Sequence, residues 1–308
     1  MIGAGSKAEE DEMSDIQNTI SDYLAALMTE GKAKCTVEVY GARLRRFAEW
    51  CIAQGKVEPE SLSAADLRSY IAHLQARGNG NGTPRQNAVV IKGFSRCLFF
   101  EGKLQADPFA SVKLAKPPRR IPEPFSDEEV KLLLKVTRHT RDPQRNKAIL
   151  LILLDSGLRV SELVSLDLEH IRFENGTAMA KVLGKGQKER KVPLGKQAVK
   201  ELKCYLNGRN SGSVFLTNNG GPLSVRRLEE ITKECAKLAG VNGKRTSPHI
   251  LHHTFARKYL LNGGDPFSLQ QILGHSNLET VKLYINLWSN DIQAQHRKFS
   301  PADSLLRR

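Results

Sequence analysis

The residues best suited to chemistry lie between positions 247 and 284. This stretch holds half of the chain's eight histidines together with a tyrosine: His249, His252, His253, His275 and Tyr284. A tyrosine oxygen can act as a nucleophile, and histidines can move protons or donate hydrogen bonds to a charged oxygen. Each of these side chains taken alone is an ordinary polar residue at a helix end. Only their joint spacing points to a function.

Short helices and the turns between them are predicted to position these side chains. Ser247-Pro248 is a typical helix start, with the hydroxyl as the N-cap and the proline at the first helical position. It places His249 in the first turn and His252 three residues later on the same face. A turn at 274–276 then leads into a further helix, which carries Tyr284 about two turns from its start.

A second group of candidate residues lies upstream, around an arginine and a glycine-rich turn. Arg159 follows Gly157, which ends a strongly apolar predicted helix, so its guanidinium can point toward a pocket. Glu162 follows in the same L-R-V-S-E-L run. Asn175-Gly176 and then the Gly-Lys-Gly-Gln run at 184–187 are predicted to be hairpin turns. The second turn lacks the spacing of a P-loop, so nucleotide binding is weakly supported.

Together these motifs resemble the tyrosine recombinase (integrase) family. The six-residue run from Leu158, the H-I-L-H-H run from His249, the L-G-H run ending at His275 and a tyrosine nine residues later match that family's signatures. The resemblance implies a DNA strand transesterification in which Tyr284 is the nucleophile and forms a 3′-phosphotyrosine. It implies that Lys185 is the general acid and that Glu162 supports the site. The residues implied to hold or assist the phosphate are Arg159, His249, His252 and His275.

Position 252 departs from the family's pattern, which has an arginine there. A histidine is shorter, donates from two nitrogens and is only partly charged near pH 7. By analogy with arginine fingers, losing one arginine from a phosphoryl clamp costs on the order of 10³ to 10⁵ in rate. Two explanations remain open: a natural variant with compensation elsewhere, or a substitution introduced to slow strand exchange and trap a DNA complex. The close fit of the surrounding residues favours the second.

The rest of the chain predicts a mainly α protein with a small β-sheet, of the α+β class, in two domains. Residues 1–13 are expected to be a disordered leader or an expression remnant. Four amphipathic helical patterns in residues 14–106 predict a small bundle, which the resemblance identifies as a four-helix, SAM-like core-binding domain. A basic, proline-rich linker is predicted at 107–124, and the catalytic domain at 125–290. The resemblance implies that the tail at 291–308 is exchanged between subunits.

The charge balance points to a polyanionic partner. Lysine and arginine number 47 against 33 acidic residues, for a formal net charge of +14. No apolar run approaches the roughly 20 residues of a membrane span, and no cysteine pair or carboxylate cluster suggests a metal. No membrane, metal or cofactor is therefore expected, and the protein is expected in the cytoplasm, associated with the nucleoid. The side chains predicted to contact the DNA backbone are Arg43, Arg46, Arg85, Lys92, Lys188 and Arg190.

The resemblance also implies the partners. The substrate is expected to be double-stranded DNA with a short inverted-repeat core site, bound by a homotetramer on two sites or by a heterotetramer with a related recombinase. The chain has little length for an additional DNA-binding domain, which favours an Xer-like or simple mobile-element recombinase over a phage integrase. The alternatives are a type IB topoisomerase-like nicking and closing enzyme and, because of His252, a non-catalytic DNA-binding relative.

The net charge predicts that binding to duplex DNA depends strongly on salt. Each phosphate neutralised by a lysine or arginine releases counterions, so the affinity should fall steeply between low and physiological salt. Cleavage should be unchanged by EDTA. A mobility-shift titration over salt, run beside a cleavage assay with and without EDTA, measures both. A salt-insensitive affinity, or cleavage that requires Mg²⁺, would contradict the prediction.

Overall fold

The computed structural model describes residues 15–78, 82–115, 123–184, 189–241, 246–274, 296 and 300–306. The chain divides into two compact units, residues 1–119 and 120–308, and the division falls inside the segment predicted to be a linker. The architecture is mostly helical with a small antiparallel sheet, which confirms the predicted α+β class. The predicted leader and most of the predicted tail lie outside the described residues.

Four α-helices make up the described part of the first unit, as the apolar spacing predicts. They are α1 Asp15–Thr29, α2 Lys34–Ile52, α3 Ala64–Ala76 and α4 Gly82–Phe100. Their apolar stripes meet in one cluster, because each helix repeats its apolar residues at helical spacing. Members of this cluster that are fully or nearly fully buried include Ile16, Leu44, Phe47, Leu67 and Phe94.

The chain that follows α4 stays packed on this bundle instead of entering the predicted linker at once. Phe109 and Val112 are buried in the helical core. The ammonium of Lys92 donates to the carbonyl oxygen of Val112 at 2.7 Å, and the guanidinium of Arg85 donates to that of Leu114 at 3.2 Å. The predicted linker therefore begins too early, because apolar side chains between the prolines reach the core.

In the described residues of the second unit, seven α-helices surround the core and an eighth lies near the chain end. The apolar α6 packs against α5, α8 and α10. The predicted capping box at the start of α5 forms: the Glu129 N–H donates to Ser126 Oγ at 3.2 Å, and the Ser126 N–H donates to the Glu129 carboxylate at 2.8 Å. In the described part of the chain, no helix has the length and apolarity needed to cross a membrane. The helices are α5 Asp127–Val136, α6 Pro143–Ser156, α7 Val160–Val164, α8 Lys196–Leu206, α9 Val225–Leu238, α10 Pro248–Leu261, α11 Pro266–Leu273 and α12 Pro301–Leu306.

The sheet of the second unit, over the residues that the structure describes, has three antiparallel strands in the order β1-β2-β3. The strands are β1 Ile171–Glu174, β2 Thr177–Leu183 and β3 Glu189–Leu194. Asn175 and Gly176 have φ angles of 48° and 78°, so the predicted tight turn forms. Val192 and Leu194 on β3 face the core. Arg190, which pairs with a residue of β2, lies two positions earlier and thus on the same face.

Candidate active site

Arg159 lies at the N-terminus of α7, just after the glycine that ends α6. Gly157 has a φ of 62°, the left-handed conformation that glycine adopts without strain, and the chain turns there. The guanidinium of Arg159 donates to the Glu162 carboxylate at 2.9 Å, and its backbone N–H donates to the same carboxylate at 2.8 Å. The Arg159 side chain nevertheless keeps 34% of its surface exposed, so it can also donate to a bound anion.

Glu162 is buried and is held by a second arginine, from the sheet. Its two carboxylate oxygens accept from Nη1 and Nη2 of Arg190 at 2.8 Å each. Burial by itself would raise the pKa of Glu162, but the hydrogen bonds from Arg190 and Arg159 and the Arg190 charge outweigh it and hold the pKa below its ordinary value. The stabilisation from the ionised form is therefore present above the unfolded pKa of about 4.3 and is lost as the pH falls through the lower folded value.

The position of Arg190 differs from the predicted contact with a DNA backbone. Its side chain is only 11% exposed, and its third nitrogen, Nε, donates to the carbonyl oxygen of Ile272 at 2.7 Å. All three guanidinium nitrogens therefore have partners inside the second unit. The sequence signal for this placement is the alternation along β3, since residues 190, 192 and 194 share one face of the strand.

His252 lies buried on α10, with its ring against the turn that follows α6. Its Nδ1 is 2.6 Å from the carbonyl oxygen of Gly157. Because a carbonyl oxygen only accepts, Nδ1 carries a hydrogen and donates it. In the neutral ring Nε2 then has a lone pair and no hydrogen, so only a protonated His252 can donate to a phosphate oxygen. The predicted role as a phosphate clamp thus depends on the protonation of this ring.

His249 and His253 lie about one turn apart on α10 and have different surroundings. His249 is exposed in the first turn, as the helix start at Pro248 predicts. His253 is half-buried, and its pKa is lowered by burial first and by the nearby His249 second. The rings of His252 and His253 meet edge to face, with centroids 6.1 Å apart. Of His249, His252 and His253, His249 is therefore the most accessible to solvent and to an incoming phosphate.

The turn at Gly157, which ends α6 and leads to Arg159, packs against both α10 and α11. A Cβ at this position would overlap the ring of Phe255 on α10 and would lie 2.6 Å from Leu273 Cδ2 on α11. Phe255 and Leu273 belong to a small apolar cluster of their own. The sequence motif accounts for Gly157 only as a helix end, whereas the packing requires a glycine for a second reason.

Four predicted site residues lie outside the described residues: Lys185, Lys188, His275 and Tyr284. The part of the predicted site that the structure describes consists of Arg159, Glu162, His249 and His252, to which it adds Arg190. Within the described ranges, no group of His, Cys, Asp or Glu side chains is arranged to hold a metal ion.

The predicted DNA contacts of the first unit divide into two groups. Arg46 is exposed on α2, and Arg43 on the same helix is half-exposed and donates to the Gln86 side chain at 2.8 Å. Arg85 and Lys92 on α4 are half-buried and donate to backbone carbonyl oxygens of the segment after that helix. Arg46 therefore fits a contact with DNA best, while Arg85 and Lys92 also hold the fold.

Comparison with known proteins gives one family. Residues 124–290 match the phage integrase family. The chain is 30% identical over 301 residues to tyrosine recombinase XerD of Halalkalibacterium halodurans, which covers 94% of this chain and 99% of the relative. It is 32% identical over 288 residues to tyrosine recombinase XerC of Thermodesulfovibrio yellowstonii, which covers 89% of this chain and 93% of the relative.

Two solved structures have a similar fold. The Tn1549 transposon integrase in complex with a circular intermediate DNA has a TM-score of 0.72 and 18% identity, over 88% of this chain and 94% of that one. The XerH site-specific recombinase bound to a palindromic difH substrate, in a post-cleavage complex, has a TM-score of 0.71 and 17% identity, over 96% of this chain and 91% of that one. The overall fold is thus shared at low sequence identity.

Gly157→Ala should destabilise the second unit much more than Gly176→Ala. Both glycines have positive φ, which costs an alanine about 1 kcal/mol or slightly more. Only position 157 lacks room for a Cβ, and overpacking there should add about 1–3 kcal/mol, whereas no heavy atom lies within 4 Å of a Cβ at 176. Calorimetric unfolding of both variants measures the difference. Equal losses of stability would show that the contact at 157 relaxes freely.

Proposed function

We propose a mechanism that proceeds from family membership: this chain belongs to the phage integrase family and is an Xer-like tyrosine recombinase. Enzymes of this kind carry out site-specific DNA recombination by breaking and rejoining strands through transesterification. In the proposed mechanism Tyr284 becomes joined to a DNA 3′-phosphate. Arg159, His249, His252 and His275 hold the phosphate or assist the proton transfers, and Lys185 is the general acid.

The observation that carries the proposal is the way Arg159 is held. A buried carboxylate, Glu162, accepts from both its backbone and its guanidinium, while a third of the side chain stays exposed. A guanidinium fixed in this way has further N–H donors in a planar fork that matches the oxygens of a phosphate. Because the donors are already in place, they can stabilise charge that grows on those oxygens during the reaction.

The reaction uses no water and conserves the energy of the phosphodiester. The phenolic oxygen of Tyr284 attacks phosphorus, a P–O bond to the tyrosine forms, and the bond to the 5′-oxygen breaks. His249 or His275 takes the phenolic proton, and Lys185 gives a proton to the departing 5′-oxygen. The 5′-hydroxyl of another strand then reverses these steps, which restores a phosphodiester and exchanges the strands.

His252 supports a weakened form of this clamp. Its Nδ1 hydrogen is donated to Gly157, so the neutral ring has no hydrogen left for a phosphate oxygen. An arginine at this position would keep its charge at any working pH and would have N–H donors to spare for the phosphate. We therefore propose that this chain cleaves DNA more slowly than it would with an arginine at 252, whether the histidine is natural or introduced.

The formal charge of +14 supports double-stranded DNA as the partner. We propose that Arg43, Arg46, Arg85, Lys92 and Lys188 contact its backbone at a short inverted-repeat core site. The active assembly in this proposal is a homotetramer on two sites, or a heterotetramer with a related recombinase. The protein works in the cytoplasm on nucleoid DNA, as a chromosomal or a mobile-element recombinase.

A non-catalytic DNA-binding role is the second candidate, and the observation that favours it is His252. A chain that kept the fold and the charge but not the second arginine would bind DNA without cutting it. A type IB topoisomerase-like enzyme would instead cut and reseal a single strand. A covalent protein–DNA adduct on a nicked site excludes the first of these, and recombinant product between two sites excludes the second.

His252→Arg should raise the rate of strand cleavage at least tenfold, because an arginine stays protonated at any working pH and can always donate to the phosphate. His252→Asn is the matched control, since its amide can replace the Nδ1 donor to Gly157 but offers nothing in place of Nε2. Cleavage of a nicked suicide substrate, followed over pH, measures all three proteins. Tyr284→Phe should form no adduct and should bind DNA as the parent does. An Arg variant no faster than the parent would make the histidine a compensated clamp.

Deleting residues 291–308 should impair pairing of two DNA sites more than binding to one. Leu305 on α12 is 83% exposed and therefore accessible to a second subunit, in which the tails of the family dock. Leu305→Lys is the smaller change that tests the same contact. Sedimentation of one-site and two-site DNA complexes separates the two effects. Equal loss of both, or loss of neither, counts against an exchanged tail.

A further inference from the structure

We propose that Arg190 is a positioning residue that sets the geometry of the phosphate clamp, by joining the Arg159 motif to the turn at the end of α11. The proposal rests on the function proposed above and assigns Arg190 a role other than contact with DNA. Its basis is a juxtaposition: one largely buried guanidinium contacts both Glu162, next to Arg159, and Ile272, near the end of α11.

The first contact holds Arg159 indirectly. Arg190 donates from Nη1 and Nη2 to the two oxygens of Glu162, at 2.8 Å each. The same two oxygens accept from the guanidinium and the backbone N–H of Arg159. Arg190 thus fixes the plane of the carboxylate on which Arg159 depends. Without Arg190, Glu162 would be free to rotate or to take other partners, and Arg159 would lose an acceptor of fixed position.

The second contact holds the turn that closes α11. Arg190 Nε donates to the carbonyl oxygen of Ile272 at 2.7 Å. Gly274 has a φ of 64°, and a Cβ there would lie 2.9 Å from Arg190 Cδ and 3.1 Å from its Nε. The backbone of this turn therefore lies directly on the arginine side chain. The next residue in the sequence is His275, a proposed phosphate ligand.

The chemistry of the side chain explains why an arginine occupies this position. A guanidinium has five N–H donors in one plane and can satisfy a carboxylate with two of them while a third points elsewhere. A lysine has the same charge but presents three donors from a single nitrogen. It can therefore neutralise Glu162, yet it cannot make the paired contact and reach Ile272 at the same time.

The proposal predicts which part of the reaction suffers. In the proposed mechanism, Arg159 and the end of α11 help to stabilise the charge on the phosphate, whereas Lys185 protonates the departing 5′-oxygen. A substrate with sulfur in place of that bridging oxygen has a leaving group that needs no proton. Loss of Arg190 function should therefore slow cleavage of the oxygen and sulfur substrates alike, whereas Lys185→Ala should be rescued by sulfur.

The test compares Arg190→Lys with Lys191→Met, a matched control on the exposed face of the same strand. Arg190→Lys should slow single-turnover cleavage at least tenfold on both substrates and change the dissociation constant for DNA by less than twofold. Lys191→Met should leave the cleavage rate within twofold. Because a lone change beside Glu162 can impair folding, the double variant Glu162→Gln with Arg190→Gln removes both buried charges and should be slowed to a similar degree.

A second measurement does not depend on activity. Hydrogen–deuterium exchange should become at least tenfold faster at the Arg159 amide, which donates to Glu162, and in the segment from 270 to 275 when Arg190 is replaced by lysine. It should not change there in the Lys191 variant. If neither the parent nor His252→Arg forms an adduct, the proposed function fails, and the exchange data still decide the role of Arg190.

Three results would overturn the role of Arg190. They are unchanged exchange at both segments in Arg190→Lys, rescue of this variant by the sulfur substrate, and a loss of DNA affinity as large as the loss of cleavage. The last result would restore Arg190 as a DNA contact. A fourth such result would be a cleavage rate of Arg190→Lys equal to that of the parent.

Discussion

The described half of the candidate site depends on one buried carboxylate. Glu162 is ionised inside the second unit because Arg159 and Arg190 both donate to it. Removing one partner of such a buried pair commonly costs about 3–5 kcal/mol, since the remaining charge is left without compensation. The segment after α6 and strand β3 are therefore bound to each other through charge. The partly exposed Arg159 thus shares its acceptor, Glu162, with the largely buried Arg190.

The residue at position 252 affects both the packing and the charge of this part of the unit. His252 contributes a hydrogen bond to the carbonyl of Gly157, which connects α10 with the turn before Arg159. The family's pattern has an arginine at this position. A histidine is shorter than an arginine and has two nitrogens where a guanidinium has three.

Basic residues in this chain serve the fold as well as the partner. Lys92 and Arg85 donate to carbonyl oxygens of the irregular segment after α4, and Arg190 neutralises Glu162. Irregular backbone that packs against a core needs such donors, because buried carbonyl groups must be hydrogen-bonded. Arg46, by contrast, is exposed on α2. A net charge of +14 indicates a polyanionic partner but does not tell which cations face it.

The amino-acid sequence by itself determined the features that depend on near neighbours. The capping box at Ser126, the turn at Asn175-Gly176 and a helix beginning at Pro248 all formed as predicted, because caps and turns are decided within a few residues. The predicted cap by the Ser247 hydroxyl is wrong, since that side chain makes no capping hydrogen bond. The sequence motif around Arg159 likewise placed that arginine just after a helix-ending glycine.

Only the tertiary structure decided how these pieces meet. His252 and Gly157 are 95 positions apart, and Arg190 and Ile272 are 82 apart. The packing of Phe109 on the helical bundle, in a segment predicted to be linker, is of the same kind. Such contacts depend on the burial and geometry of distant elements, which no local pattern contains. Proline density and positive charge therefore predicted a linker and a DNA contact where packing produced a core residue and a buried ion pair.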